Sequence, residues 1–100
     1  MTTNSKQTDD QGVQPETLIE FPCEFQLKVM GYNRDNFAQK MHEITQKFVK
    51  QTITPEKILV RPSRTKKFLS VNISFTADSK QQLDAIYQAL TEHELVTMAL

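Results

Sequence analysis

Residues 67–77, Lys67-Phe-Leu-Ser-Val-Asn-Ile-Ser-Phe-Thr-Ala77, alternate apolar and polar side chains more regularly than any other part of the chain. Leu69, Val71, Ile73 and Phe75 fall on one side of an extended backbone and Ser70, Asn72, Ser74 and Thr76 on the other, the period-two pattern of a strand buried on one face only. Such a strand needs neighbours, and the flanking sequence supplies them. Lys57-Ile-Leu-Val-Arg-Pro62 predicts a shorter strand joined to it by a turn over Ser63–Lys66, and Pro62, which has no N–H to donate, places that strand at an edge. Cys23-Glu-Phe-Gln-Leu-Lys-Val-Met30 alternates again, with Phe25, Leu27 and Val29 inward and Glu24, Gln26 and Lys28 outward. Residues 95–100 predict a last strand in which Val96, Met98 and Leu100 alternate against Leu95, Thr97 and Ala99, the latter two facing outward.

Two helices separate these strands. Phe37, Met41, Ile44 and Phe48 recur at offsets of four, seven and eleven and predict an amphipathic helix running to about Lys50, with Asn33 or Asp35 favouring its start. Leu83, Ile86, Tyr87 and Leu90 predict a second helix, started by Asp78 or Ser79, with Ser79 and Gln82 at capping-box spacing. The order β-α-β-β-α-β predicts an α+β, ferredoxin-like sandwich, because right-handed crossovers put both helices on one face of a four-stranded antiparallel sheet of order 4-1-3-2. Residues 17–100 form this domain. Residues 1–16 carry, after Met1, a single sizeable apolar side chain, Val13, and are expected to be a disordered tail that Leu18, Ile19 and Phe21 tether.

Charge and cysteine content narrow the function classes. Twelve basic and twelve acidic residues cancel, so whole-chain charge argues for neither nucleic acid nor an anionic membrane. Cys23 is the only cysteine, which excludes an intrachain disulfide and a multi-cysteine metal site and suits a cytoplasmic setting. There is no signal-peptide core and no 18-residue apolar run, so neither secretion nor a membrane partner is expected.

Glu20-Phe-Pro-x-x-Phe25, Lys28-Val-Met-Gly31, Pro62-Ser63, Ser70-Val71, Leu83-x-x-x-Tyr87-x-x-Leu90 and the ending Val96-x-Met98-x-Leu100 occur in this order. In them the chain resembles, over residues 17–100, the YbeD-like family of small bacterial proteins of unknown function. The resemblance implies a ferredoxin-like fold similar to the ACT regulatory domains that bind amino acids and pair up in metabolic enzymes, and it brings no catalytic residues. The turn Arg64-Thr-Lys-Lys67 departs from the glycine-containing version associated with the family.

The chemistry-bearing residues are scattered. His42 lies about 140° round its helix from Phe37 and is expected at the surface. His93 falls at the end of the second helix, where the dipole favours a cation. Cys23 has no histidine near it in sequence and reads as a structural thiol. No phosphate loop, dinucleotide fingerprint or zinc spacing is present, so neither a cofactor nor a metal is expected, and the domain is read as non-enzymatic. Two surfaces remain. Gly31-Tyr32-Asn33 joins the first strand to the first helix, where a glycine-containing loop and a helix N-terminus hold amino acids in ACT domains; its backbone N–H groups would receive a carboxylate at a dimer interface. The hairpin residues Lys57, Arg61, Arg64, Lys66 and Lys67 concentrate five cations with no acid between Glu56 and Asp78. The expected role is a regulatory or interaction module binding a partner protein, a small-molecule ligand or a second copy of itself. The alternative, a nucleic-acid-binding module on the basic hairpin, is disfavoured because the third strand offers one outward aromatic, Phe68.

Overall fold

The computed structural model describes residues 20–100. The element order is β1 (Cys23–Tyr32), α1 (Phe37–Gln46), a one-turn 3-10 helix (Pro55–Lys57), β2 (Ile58–Pro62), β3 (Phe68–Ala77), α2 (Lys80–Thr91) and β4 (Val96–Ala99). The expected tail over 1–16 and the tether at Leu18 and Ile19 lie outside the described residues. The strands form one antiparallel sheet in the order β2-β3-β1-β4, the expected 4-1-3-2 read from the other edge, with Pro62 on the edge strand.

β1 and β3 pair without interruption from Cys23 opposite Ala77 to Tyr32 opposite Phe68. That register sends Leu27, Val29, Val71 and Ile73 to the covered face, where each is fully buried. Phe37 and Met41 from α1, Ile86 and Leu90 from α2, and Leu95 before β4 fill the space above them. Burying such a side chain contributes about 1.5–3 kcal/mol, more than helix propensity can contribute at these positions, so the apolar stripes hold the helices to the sheet. Ser79 caps α2 as expected. Its Oγ accepts from the Gln82 N–H at 3.1 Å, while Gln82 Oε1 accepts from the Asp78 N–H at 2.6 Å. No helix among the described residues is long and apolar enough to cross a membrane.

Three boundaries differ from the pattern reading. β1 continues through Gly31 and Tyr32, so Gly31 is a strand residue rather than a turn glycine. A β-carbon there would strike the Phe37 ring and the Leu95 carbonyl, and close packing is therefore what requires glycine. α1 stops at Gln46, not near Lys50, and begins after Asn36, whose left-handed backbone makes no side-chain cap. Phe48 consequently leaves the stripe and is exposed, while Thr45 and Val49 are buried. The cause is the Gln46 side chain, whose Nε2 donates to the Val49 and Gln51 carbonyls at 3.0 and 2.7 Å and whose Oε1 accepts from the Ile53 N–H at 2.7 Å. Those bonds stabilise a chain reversal where periodicity alone would continue the helix.

The third difference is in β4. Ala99 lies opposite Val29 and Met98 opposite Met30, yet Val96 lies opposite Gly31, a register shift characteristic of a bulge. It turns both Val96 and Ala99 to the covered face. Met98 and Leu100, expected with Val96, instead point outward and are 48% and 62% exposed.

Candidate functional site

The register that pairs β1 with β3 also brings the two candidate surfaces together. Tyr32 sits opposite Phe68, and just beyond them the Asn33 N–H donates to the Lys67 carbonyl at 3.0 Å while Asn33 Nδ2 donates to the Lys66 carbonyl at 2.9 Å. Lys66 adopts a left-handed backbone, φ 64°, within a hairpin turn closed by the Lys66 N–H to Ser63 carbonyl bond at 2.9 Å. A glycine would meet this conformation without cost; here a lysine does, held by Asn33. Tyr32 and Asn33 thus meet the turn end of the hairpin, Ser63–Phe68, at one end of the sheet.

The meeting place is aromatic and cationic. The Tyr32 and Phe68 rings pack with centroids 5.3 Å apart at 34°, and the Arg34 guanidinium carbon lies 5.5 Å from the Tyr32 centroid, within cation–π range. Arg64, Lys66 and Lys67 are exposed around them. Asp35, an acid at this end, makes a long 3.9 Å contact with Arg34 between two exposed side chains.

The expected residues do not all serve alike. The N–H groups of Tyr32 and Asn33 donate to Leu95 and Lys67 carbonyls, so they are not free to receive a carboxylate as expected, and the surface offers side chains instead. Asn33 braces the hairpin instead of capping α1. Arg61 points out of the sheet opposite Ser70. Lys57 is remote, beside Glu24, Gln26, Leu59, Asn72 and Ser74 around a depression of about 470 Å³. Next to it the Glu56 carboxyl is held below its usual range, chiefly by a hydrogen bond from the Thr54 side chain.

His42 is half-buried beside Pro55 and Ile58 rather than wholly exposed. His93 lies past the α2 C-cap, and its Nδ1 accepts from the Leu95 N–H at 3.2 Å. It therefore braces the turn into β4. Cys23 is half-buried at the start of β1. Among the described residues no three His, Cys, Asp or Glu side chains gather as metal ligands.

Tyr32 was expected in the loop, and pattern reading missed that it is the last strand residue of β1, paired with Phe68 on the outward face. Its alternation continues that of β1, with Met30 and Tyr32 on the outward side, and Gly31 hid it by resembling a stop. The outward face is polar through Gln26, Lys28, Ser70, Asn72 and Ser74, as expected, but Leu59, Met98, Leu100 and Tyr32 make its margins apolar. Ala99, expected on this face, is on the other.

A split β-α-β sandwich with one open sheet face is the architecture of a ferredoxin-like, ACT-like domain. Two solved structures share it. One is the solution structure of protein HP0495 from H. pylori, with TM-score 0.63 and 19% identity over 90% of this chain and 98% of that one. The other is the ACT domain of GTP pyrophosphokinase from Chlorobium tepidum, with TM-score 0.61 and 10% identity over 77% and 94%. Residues 16–100 match the family described as "Protein of unknown function (DUF493)". UPF0250 protein NE1487 of Nitrosomonas europaea is 39% identical over 85 residues, covering 85% of this chain and 97% of the relative. UPF0250 protein RSc0326 of Ralstonia nicotianae is 39% identical over 85 residues, 87% of its length. The chain belongs to this bacterial family, the YbeD-like family that its motifs resemble.

Proposed function

We propose that the chain is a non-catalytic regulatory or interaction module of the bacterial cytoplasm that works by binding, in the way ACT domains do. The observation that carries this reading is the union of Tyr32 and Asn33, beside the buried Gly31, with the turn of the basic hairpin into one exposed, aromatic and cationic surface. Surfaces of rigid aromatics ringed by arginines and lysines suit an anionic metabolite or an acidic stretch of a partner protein. The test is capture of partners from the native bacterium on the tagged protein, in parallel with a charge-reversed R64E/K66E/K67E variant. A partner held by the wild type and released by the variant supports the reading. It is overturned by two results together: equal retention on both proteins, and amide signals of residues 31–36 and 61–68 that stay still under a broad metabolite titration.

A second copy of the chain is a further occupant consistent with the edge of β2, where Leu59 and Val60 are exposed on opposite faces. A sedimentation mass of one chain at high concentration removes that arrangement. The nucleic-acid reading gains one observation, the outward Tyr32–Phe68 pair on the two central strands. The rings already cover part of each other, however, which reduces the area open to base stacking. Salt-dependent binding of single-stranded RNA that is lost in Y32A would favour it over the first reading.

A further inference from the structure

The open face of the sheet contains one polar atom that the fold leaves unexplained. Ser70 Oγ is buried and has no hydrogen-bond partner among the described residues, although a desolvated hydroxyl normally finds one. The register explains its position. Across the strands Arg61 lies opposite Ser70, Ser70 opposite Met30, and Met30 opposite Met98. One row away Lys28 lies opposite Asn72, and two residues before Ser70 on the same side is Phe68. Ser70 is the small residue in a ring of long ones, and the result is a depression of about 200 Å³ whose walls include Lys28, Met30, Arg61, Phe68 and Ser70. Neither Lys28 nor Arg61 forms an ion pair with a described residue.

We infer that this depression is a seat for a small organic anion, a carboxylate or phosphate monoester on a short apolar body, gripped by Arg61 and Lys28. The Ser70 hydroxyl would donate to the anion, and the Met30 thioether and Phe68 ring would cover the body. Arginine supplies two parallel donors that match either oxyanion, and the Ser70 hydroxyl, buried in the unliganded chain, is reached when one of the long side chains around it turns aside. The apolar walls select against bare inorganic anions, whose water they cannot replace. The inference rests on the binding role proposed above and names the ligand class for the Arg61 side of that surface.

The experiment is a titration of the full chain, labelled at backbone amides and methionine methyls, with benzoate, phenyl phosphate and inorganic phosphate at constant ionic strength. A saturable shift of the Met30 methyl and of the Lys28, Arg61 and Ser70 amides is expected with one of the organic anions, and at most a tenth of that affinity with inorganic phosphate. The relative strength of benzoate and phenyl phosphate tells which oxyanion the seat takes. R61Q and K28Q should each weaken binding by about tenfold or more, the loss of at least one charge-assisted hydrogen bond. S70V, a strand-compatible change that removes the hydroxyl and narrows the floor of the depression, should weaken binding at least tenfold while the remaining amide pattern stays native. Three results overturn the inference: no saturable shift with either organic anion, as when a seated water alone satisfies Ser70; shifts spread over all exposed lysines and arginines; or binding indifferent to R61Q and S70V in folded protein. A captured partner that leaves these signals unmoved overturns this inference but not the module reading; silence towards both overturns both.

Discussion

Replacing Gly31 by alanine tests how the end of β1 is built. The added methyl would meet the fully buried Phe37 ring on one side and, on the other, the Leu95 carbonyl that accepts from the Tyr32 N–H at 3.0 Å. Neither neighbour has room to yield: the ring is locked between helix and sheet, and the carbonyl belongs to backbone. Overpacking of a tight core costs about 1–3 kcal/mol, and here the upper end applies because a backbone hydrogen bond of about 1 kcal/mol is strained as well. For a domain of this size about 3 kcal/mol lowers Tm by more than ~10 °C. Urea unfolding followed by circular dichroism measures it, with F37L in the same background as the control. Trimming the ring should return about 1 kcal/mol of the G31A loss in the double variant, a coupling expected of residues in contact. A glycine needed only for a left-handed turn would instead cost about 1–2 kcal/mol, with no rescue from F37L. A G31A protein within about 0.5 kcal/mol of wild type, or a loss that F37L leaves untouched, would refute the close-approach argument.

Q46A should destabilise by about 2–3 kcal/mol, since three side-chain bonds to the backbone of residues 49–53 are lost at about 1 kcal/mol each; hydrogen exchange should quicken first at Ile53. S79A removes the α2 cap and should cost about 1 kcal/mol in the same urea assay. Burial raises the Tyr87 hydroxyl above its usual value. A folded-state value above the unfolded one gives stability that is present below pH 10 and lost as pH climbs through the raised value. Y87F should therefore flatten the alkaline limb of a Tm-against-pH curve, and an unchanged limb would contradict this. T54A should bring the Glu56 carboxyl back towards its ordinary range, read as a higher titration midpoint of its side-chain carbon signal; a midpoint that stays put would show that the hydroxyl is not what holds it down.

The architecture was legible because it rests on one-dimensional periods. Val71 and Ile73 against Ser70 and Asn72, Leu83 against Ile86 and Leu90, and the Ser79 cap are all local statements that burial only had to honour. The misreadings share a cause: each depended on a residue acting across the chain. Gln46 ends α1 by bonding to residues up to seven positions ahead, and Gly31 looked like a stop because the Phe37 ring that demands it is invisible in a strand pattern. The bulge at Thr97 reversed Met98 and Ala99 because register belongs to the pairing of two strands, not to either one.

The same division governs the candidate surfaces. Local pattern alone determined that there are two helices, four strands, a wet sheet face, a basic hairpin and a loop between the first strand and the first helix, because side-chain direction follows backbone period. Only the tertiary structure decided that Asn33 ties that loop to the hairpin, that Tyr32 meets Phe68, and that Ser70 lies at the bottom of a ring of longer side chains. Asn33 with Lys66, Tyr32 with Phe68 and Met30 with Ser70 are each more than thirty positions apart, and the antiparallel register of β1 on β3, set by burial of the opposite face, is what brings them together.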